Sequence, residues 1–197
     1  MSRKTASHIY DGLVEVGELS PDKRQRMAIE QLDQLANRLI KRRGWSGGRK
    51  GFFRRQTWTR PEQGIYIWGG VGRGKTFLMD LFVDSLPDGI AVRLHFHRFM
   101  NQVHGRLTAL QGTEDPLEAI ADEFARRAKV LCFDECFVSD ITDAMVLGTL
   151  LDALFRRGVS LVTTSNIEPD NLYKGGLQRD RFLPAIALIQ THCQTFH

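Results

Sequence analysis

No stretch of about 18 consecutive apolar residues occurs in this chain of 197, which excludes an apolar helix of membrane-spanning length. The N-terminus, Met1-Ser2-Arg3-Lys4-Thr5, lacks the apolar run of a secretory signal. Acidic residues arrive early (Asp11, Glu15, Glu18), which argues against a transit peptide. Cysteine is sparse: three residues, an odd number without framework spacing, fit a reducing compartment, and the expected location is the cytoplasm. Internal repeats and low-complexity tracts are missing as well. One absence is local. Between Gln34 and Pro61 there is no acidic residue, against nine basic ones: Arg38, Lys41, Arg42, Arg43, Arg49, Lys50, Arg54, Arg55 and Arg60. The whole chain carries +4, so without these nine the remainder stands at −5, and the basic character belongs to one segment.

What is present suits one folded domain with a short appendage: 42% hydrophobic and 25% charged residues are ordinary for a globular protein. Ser20-Pro21-Asp22 reads as a helix start, with serine capping and proline first in the helix. Ala28, Leu32, Leu35, Ala36 and Leu39 then recur at helical spacing to about Arg43, and Gly44 ends the run. Residues 1–63 are therefore expected to be a helical segment with a basic linker, and 64–197 the core. From Gly64 onward strand and helix patterns alternate, which implies a mainly parallel sheet with helices on both faces. The expected strands are 65–68, 92–96, 130–133 and 160–164, and the expected helices 75–85, 99–110, 116–128 and 141–157.

The chemistry concentrates in Gly69-Gly70-Val71-Gly72-Arg73-Gly74-Lys75-Thr76, a full G-x-x-x-x-G-K-[ST] string between a β-type run and a helical one. Glycines let the backbone wrap with its N–H groups inward, and the helix N-terminus that follows adds partial positive charge for a phosphate. The backbone from Gly69 to Phe77 is thus the expected cradle of a nucleoside triphosphate. Lys75 would meet the β- and γ-phosphates, and the Thr76 hydroxyl would ligate Mg²⁺. The apolar run Val130-Leu131-Cys132-Phe133 ends in Asp134-Glu135. At the carboxyl end of a central parallel strand, Asp134 is expected to hold Mg²⁺ through its waters, and Glu135 to orient and deprotonate the attacking water. Thr164-Ser165-Asn166 closes the next strand, where Asn166 would act as a sensor of that water; the plain alternative is a turn residue.

These blocks, with Phe96-His97-Arg98-Phe99-Met100, Val103-His104, and Leu172-Tyr173-Lys174-Gly175-Gly176-Leu177-Gln178-Arg179 before Phe182-Leu183-Pro184, resemble the AAA+ superfamily and within it the ZapE-like branch. That branch is a cell-division ATPase in bacteria and a mitochondrial one in eukaryotes. The resemblance runs from about residue 8 to 193. It implies an α/β fold, the parallel-sheet P-loop NTPase core, with ATP rather than GTP as nucleotide. It also implies homo-oligomers, with an arginine finger donated in trans by Arg179, or by Arg181 as the nearby alternative. A remodelled protein partner is implied too, in bacteria plausibly the tubulin-like division-ring protein. The fifth core strand should lie at the sheet edge beside the phosphate-loop strand and begin close to Thr195-Phe196-His197. By this reading the chain stops before that strand and the helical lid beyond it.

Other residues invite weaker readings. His95 and His97 share a strand face, but no cysteine or carboxylate joins them at metal-ligand spacing. Cys132 and Cys136 flank the Asp-Glu pair, and Cys132 reads as a small core residue rather than half of a redox pair. Trp45, Phe52, Phe53 and Trp58 interleave with the arginines of segment 38–60, a composition seen on nucleic-acid and anionic membrane surfaces. The favoured reading packs those aromatics onto the core and leaves the charges solvated. Two functional classes remain beside the remodelling ATPase: a small-molecule kinase, disfavoured by Glu135 and Asn166, and a nucleotide-binding interaction module without turnover.

Overall fold

The computed structural model describes residues 4–45 and 60–197. Five strands, β1 (Gly64–Trp68), β2 (Ala91–His95), β3 (Val130–Asp134), β4 (Ser160–Ser165) and β5 (Cys193–Phe196), form one sheet in the order β2-β3-β4-β1-β5. Every pairing is parallel. The connections are helical: α3 (Lys75–Asp84), α4 (Phe96–Ala109), α5 (Pro116–Arg127), α6 (Ile141–Arg156) and α7 (Leu183–His192), preceded by α1 (Ala6–Glu15) and α2 (Lys23–Trp45).

Strand side chains alternate between two cores, as the pleat requires. Ile65, Ile67, Val130, Cys132 and Val162 face the core built with α1, α2 and α3. Tyr66, Leu131, Phe133 and Leu161 face the core built with α4 to α7. The N-terminal helices are therefore one layer of the same sandwich: Tyr10, Ile29, Leu32, Leu35 and Leu39 are fully buried on the sheet. Gly64 opens β1 where a Cβ would lie 1.8 Å from the Leu161 carbonyl oxygen, so the close approach of β1 and β4 needs glycine.

Several boundaries differ from expectation, each for a local reason. The cap of α2 is Asp22 rather than Ser20: its carboxylate accepts from the N–H groups of Arg24 (2.7 Å) and Gln25 (3.2 Å), and the helix starts at Lys23. Gly44 does not stop α2, which runs to Trp45. Strand β2 ends at His95, and α4 starts at Phe96, three residues ahead of the expected start. Phe96 belongs to the helical stripe of Phe99, Met100 and Val103, and burying that stripe on the sheet outweighs one more strand residue. The fifth strand is present: Cys193–Phe196 pairs with β1 at the sheet edge, with Gly64 opposite Cys193 and Ile67 opposite Phe196, correcting the expectation that the chain stops before it. Helices α1 and α7 have no counterpart in the sequence reading. Thr5 caps α1 locally, its Oγ1 accepting from the His8 N–H at 3.2 Å, and the N–H groups of Ala6 and Ser7 donate to Asp33 of α2 at 2.9 and 3.0 Å.

Candidate nucleotide-binding site

Parallel strands bring their carboxyl ends to one edge, and the loops after β1, β3 and β4 meet there. The loop at 69–74 turns through Gly69 (φ 145°), Gly72 (φ 78°) and Gly74 (φ 77°), a backbone that side-chain-bearing residues rarely adopt, and delivers the chain to α3 at Lys75. Val71 is exposed at its tip. The Phe77 ring packs against the core, so its part in the site is confined to backbone.

Lys75 Nζ donates to the carbonyls of Gly69 and Gly70, both at 2.8 Å, and to Asn166 Oδ1 at 2.9 Å. That last bond joins the phosphate loop to the end of β4 across 91 residues of sequence. Partial burial lowers the lysine's pKa, with Glu135 pulling it up and Arg73 pushing it further down. A cavity of about 160 Å³ is lined by Gly72, Lys75, Thr76, Glu135, Ser165 and Asn166 among others. The structure thus gathers the expected lysine, hydroxyl, carboxylate and amide around one space.

Glu135 sits in the left-handed region (φ 56°), a strained conformation that β4 holds in place. Its N–H donates to Thr164 Oγ1 (3.1 Å), the N–H of Cys136 donates to the Thr164 carbonyl (2.7 Å), and Ser165 Oγ donates to the Cys136 carbonyl (2.7 Å). The turn after β3 is therefore stapled to the neighbouring strand, which fixes the backbone from which the exposed Glu135 side chain extends. Beyond it a larger cavity of about 490 Å³ continues past Glu135 and Asn166 to His97, Phe137 and Asp143.

Asp134 is buried and engaged. Arg93 of β2 donates to both its oxygens, Nε at 2.8 Å and Nη2 at 3.3 Å, while Nη1 bonds Asp80 of α3. Burial works against the guanidinium charge, but the hydrogen bonds to Asp134 and Asp80 outweigh it and raise its pKa further. On the other side of the phosphate loop, a cavity of about 50 Å³ lies between the start of α2 and the ends of β1 and β5, with Gln25, Ala28, Trp68, Leu78, Phe196 and His197 in its wall. Gln25 Nε2 donates to the Arg73 carbonyl (3.1 Å), and its Oε1 is buried without a partner. Arg93, Asp80 and Gln25 were absent from the sequence reading. Nothing local marks them, because each acts across the sheet or between helices.

Arg179 and Arg181 lie apart from these cavities, on a 3-10 turn (Arg179–Arg181) before α7. Arg179 Nη2 donates to the Asp170 carbonyl (2.6 Å) within the same chain, and its Nε is buried without a partner. Arg181 is exposed. The ring centroids of His95 and His97 are 5.8 Å apart, and His104 hydrogen-bonds Asp143 at 2.6 Å. The three cysteines are free and buried, with Cys132 and Cys136 in different cores, so those two do not form a pair. Most of segment 38–60 lies outside the described residues. Within them, Arg38 and Arg42 pair with Glu62 at 3.1 and 2.8 Å.

A profile of the AFG1-like ATPase family matches residues 5–197. The chain belongs to that family. It is 50% identical, over its whole length and 55% of the relative's, to "Cell division protein ZapE" of Escherichia coli K12. It is 43% identical to "Lactation elevated protein 1 homolog B" of Danio rerio, over 68% of this chain and 29% of that one. The chain thus spans about half the length of the bacterial relative it matches. Among solved structures, DnaI superimposes with a TM-score of 0.58 at 15% identity, covering 91% of this chain and 88% of that one. AMPPCP-bound DnaA from Aquifex aeolicus gives 0.58 at 14%, covering 100% and 51%. These likenesses establish the P-loop NTPase fold for this family member. Among the described residues no helix is long and apolar enough to cross a membrane.

Proposed function

We propose that this chain binds ATP with Mg²⁺ and hydrolyses it, as the nucleotide-binding part of an oligomer that remodels a protein partner, in bacteria during cell division. The observation that carries the reading is the convergence of Lys75, Asn166 and Glu135 on one cavity beside the glycine loop. The phosphates would lie along residues 69–76, exchanging with the Gly69 and Gly70 carbonyls for the lysine's hydrogens. The base would enter the smaller cavity between α2 and β1, where the orphaned Gln25 acceptor suits the 6-amino donor of adenine and not the O6 acceptor of guanine.

Thr76 and Asp134 are hard oxygen donors of the kind Mg²⁺ takes beside phosphate oxygens and water, so the donor set fits that ion. When bound it would neutralise phosphate charge. Glu135 would accept a proton from a water whose oxygen attacks the γ-phosphorus, and the bond to the β–γ bridging oxygen breaks, leaving ADP and phosphate. Asn166, tethered to Lys75, would orient that water.

An arginine from a neighbouring copy would approach through the open cavity beyond Glu135. Arg179 is the assigned finger, and its bond to Asp170 must break for it to reach out; Arg181 is the alternative already turned to solvent. The experiment is phosphate release with ATP and GTP in parallel, with calorimetric binding of both. Turnover with ATP supports the reading, binding without turnover favours a nucleotide-dependent interaction module, and no binding removes both.

A further inference from the structure

Asp134 is described by its place after β3 as a metal-binding carboxylate, yet both of its oxygens face one guanidinium. If Arg93 served only to neutralise a buried acid, one carboxylate would suffice. The structure supplies two. Asp80 stands one helical turn beyond Thr76 on α3, its side chain 48% exposed, and takes the third nitrogen of Arg93. The guanidinium is therefore suspended between the carboxylate expected to face the metal and a second, more solvated one on the helix that carries the metal-ligating hydroxyl. Its own strand, β2, is a sheet edge paired among the described residues with β3 alone, and the Arg93 side chain keeps 26% of its surface exposed, which leaves it room to shift.

We propose that Arg93 competes with the divalent cation for Asp134 and retires to Asp80 when the cation is bound, so that the Asp80–Arg93–Asp134 array sets the Mg²⁺ concentration at which nucleotide is held. This rests on the reading above that the site takes Mg²⁺ with a nucleotide. A dication within a few ångströms repels the guanidinium, and the only other carboxylate hydrogen-bonded to Arg93 among the described residues is Asp80. Asp80 lowers the cost of vacating Asp134. Arg93 in turn keeps a buried, unliganded Asp134 from standing uncompensated.

The test is the Mg²⁺ dependence of fluorescent ATP-analogue binding to the whole chain, a readout that needs no turnover. Arg93→Gln should reach half-saturation at roughly a tenth of the wild-type Mg²⁺ concentration, the scale of one unit charge removed a few ångströms away. Arg93→Lys keeps the charge but not the two-pronged grip, preserves more of the fold, and should shift the midpoint in the same direction by less. Asp80→Asn should raise the midpoint severalfold. In the double variant Arg93→Gln with Asp80→Asn, the Asp80 effect should largely vanish, because no guanidinium remains to be received. Additive shifts in that cycle, or a higher Mg²⁺ requirement in the two Arg93 variants, would overturn the competition. A wild-type chain that binds the analogue with no Mg²⁺ dependence overturns the site's functional reading and this inference with it; dependence in wild type without the predicted shifts overturns the inference alone.

Discussion

Lys75 holds three acceptors within 2.9 Å, two of them carbonyls of its own loop, and each contact is one a phosphate oxygen would replace or reinforce. Lys75→Ala should therefore weaken ATP binding on the order of a hundredfold, since it deletes charge-assisted hydrogen bonds at the centre of the loop. Unchanged affinity by calorimetry would count against the site. Glu135→Gln is the complementary case. Its side chain lines the cavity but makes no bond to the loop, so nucleotide affinity should persist while the hydrolysis rate falls by about 10² to 10⁴. Rapid multiple turnover by the variant would remove Glu135 from the role of base. The thiols give a prediction of another kind. Burial pushes the Cys136 thiol up to about 12 and raises Cys132 and Cys193 as well, and none of the three is exposed. A thiol-reactive chromophore at neutral pH should stay silent with the folded protein and titrate all three cysteines only after denaturation.

Among the elements, β1 is held on both sides. It lies between β4 and β5, and its first residue touches the Leu161 carbonyl so closely that even a methyl group has no place. Gly64→Ala should separate the two strands at that end, cost about 2–3 kcal/mol, and lower the melting midpoint by roughly 5–10 °C. A midpoint within a degree of wild type would show that the sheet absorbs the change. The turn after β3 shows the opposite use of constraint. Three hydrogen bonds to β4 hold the Glu135 backbone at positive φ, and the strain is kept at the residue proposed as the base. Helix α2 reaches the phosphate loop through Gln25 from the layer it shares with α3, so a segment that reads as an appendage forms one wall of the cavity proposed for the base.

For the molecule as a whole, the proposed reading has a second copy complete the site from the cavity past Glu135. In a chain extended to the full length of its relatives, Arg179→Ala should bind ATP normally yet hydrolyse it slowly. Mixing it with Glu135→Gln protein should restore part of the activity, because one interface can then combine an intact base with an intact finger. The rescue should disappear on dilution below the assembly concentration. Mixed oligomers that stay inactive would move the finger to Arg181 or return Arg179 to its bond with Asp170.

The phosphate loop, the Asp134-Glu135 pair, the polar end of β4 and the alternation of strand and helix were all readable along the chain, because each is a local pattern with a local cause. Glycines must stand where the backbone turns left-handed, a doubly buried strand must be continuously apolar, and helical faces repeat every three to four residues. The resemblance put the fifth strand at the right edge but had the chain stop before it, since a four-residue edge strand carries too little pattern to mark its start. Helix α1 went unseen although Thr5 caps it locally, and its second anchor, Asp33 of α2, is met only in the fold. What only tertiary structure decided is which side chains from distant elements share one space: Gln25 against the phosphate loop, Lys75 with Asn166, and Arg93 between Asp80 and Asp134. Those contacts join strands and helices whose order in the sheet, β2-β3-β4-β1-β5, is not their order in sequence. A charge on an edge strand finds its partners only once the neighbouring strand and the helix above it have been packed into place.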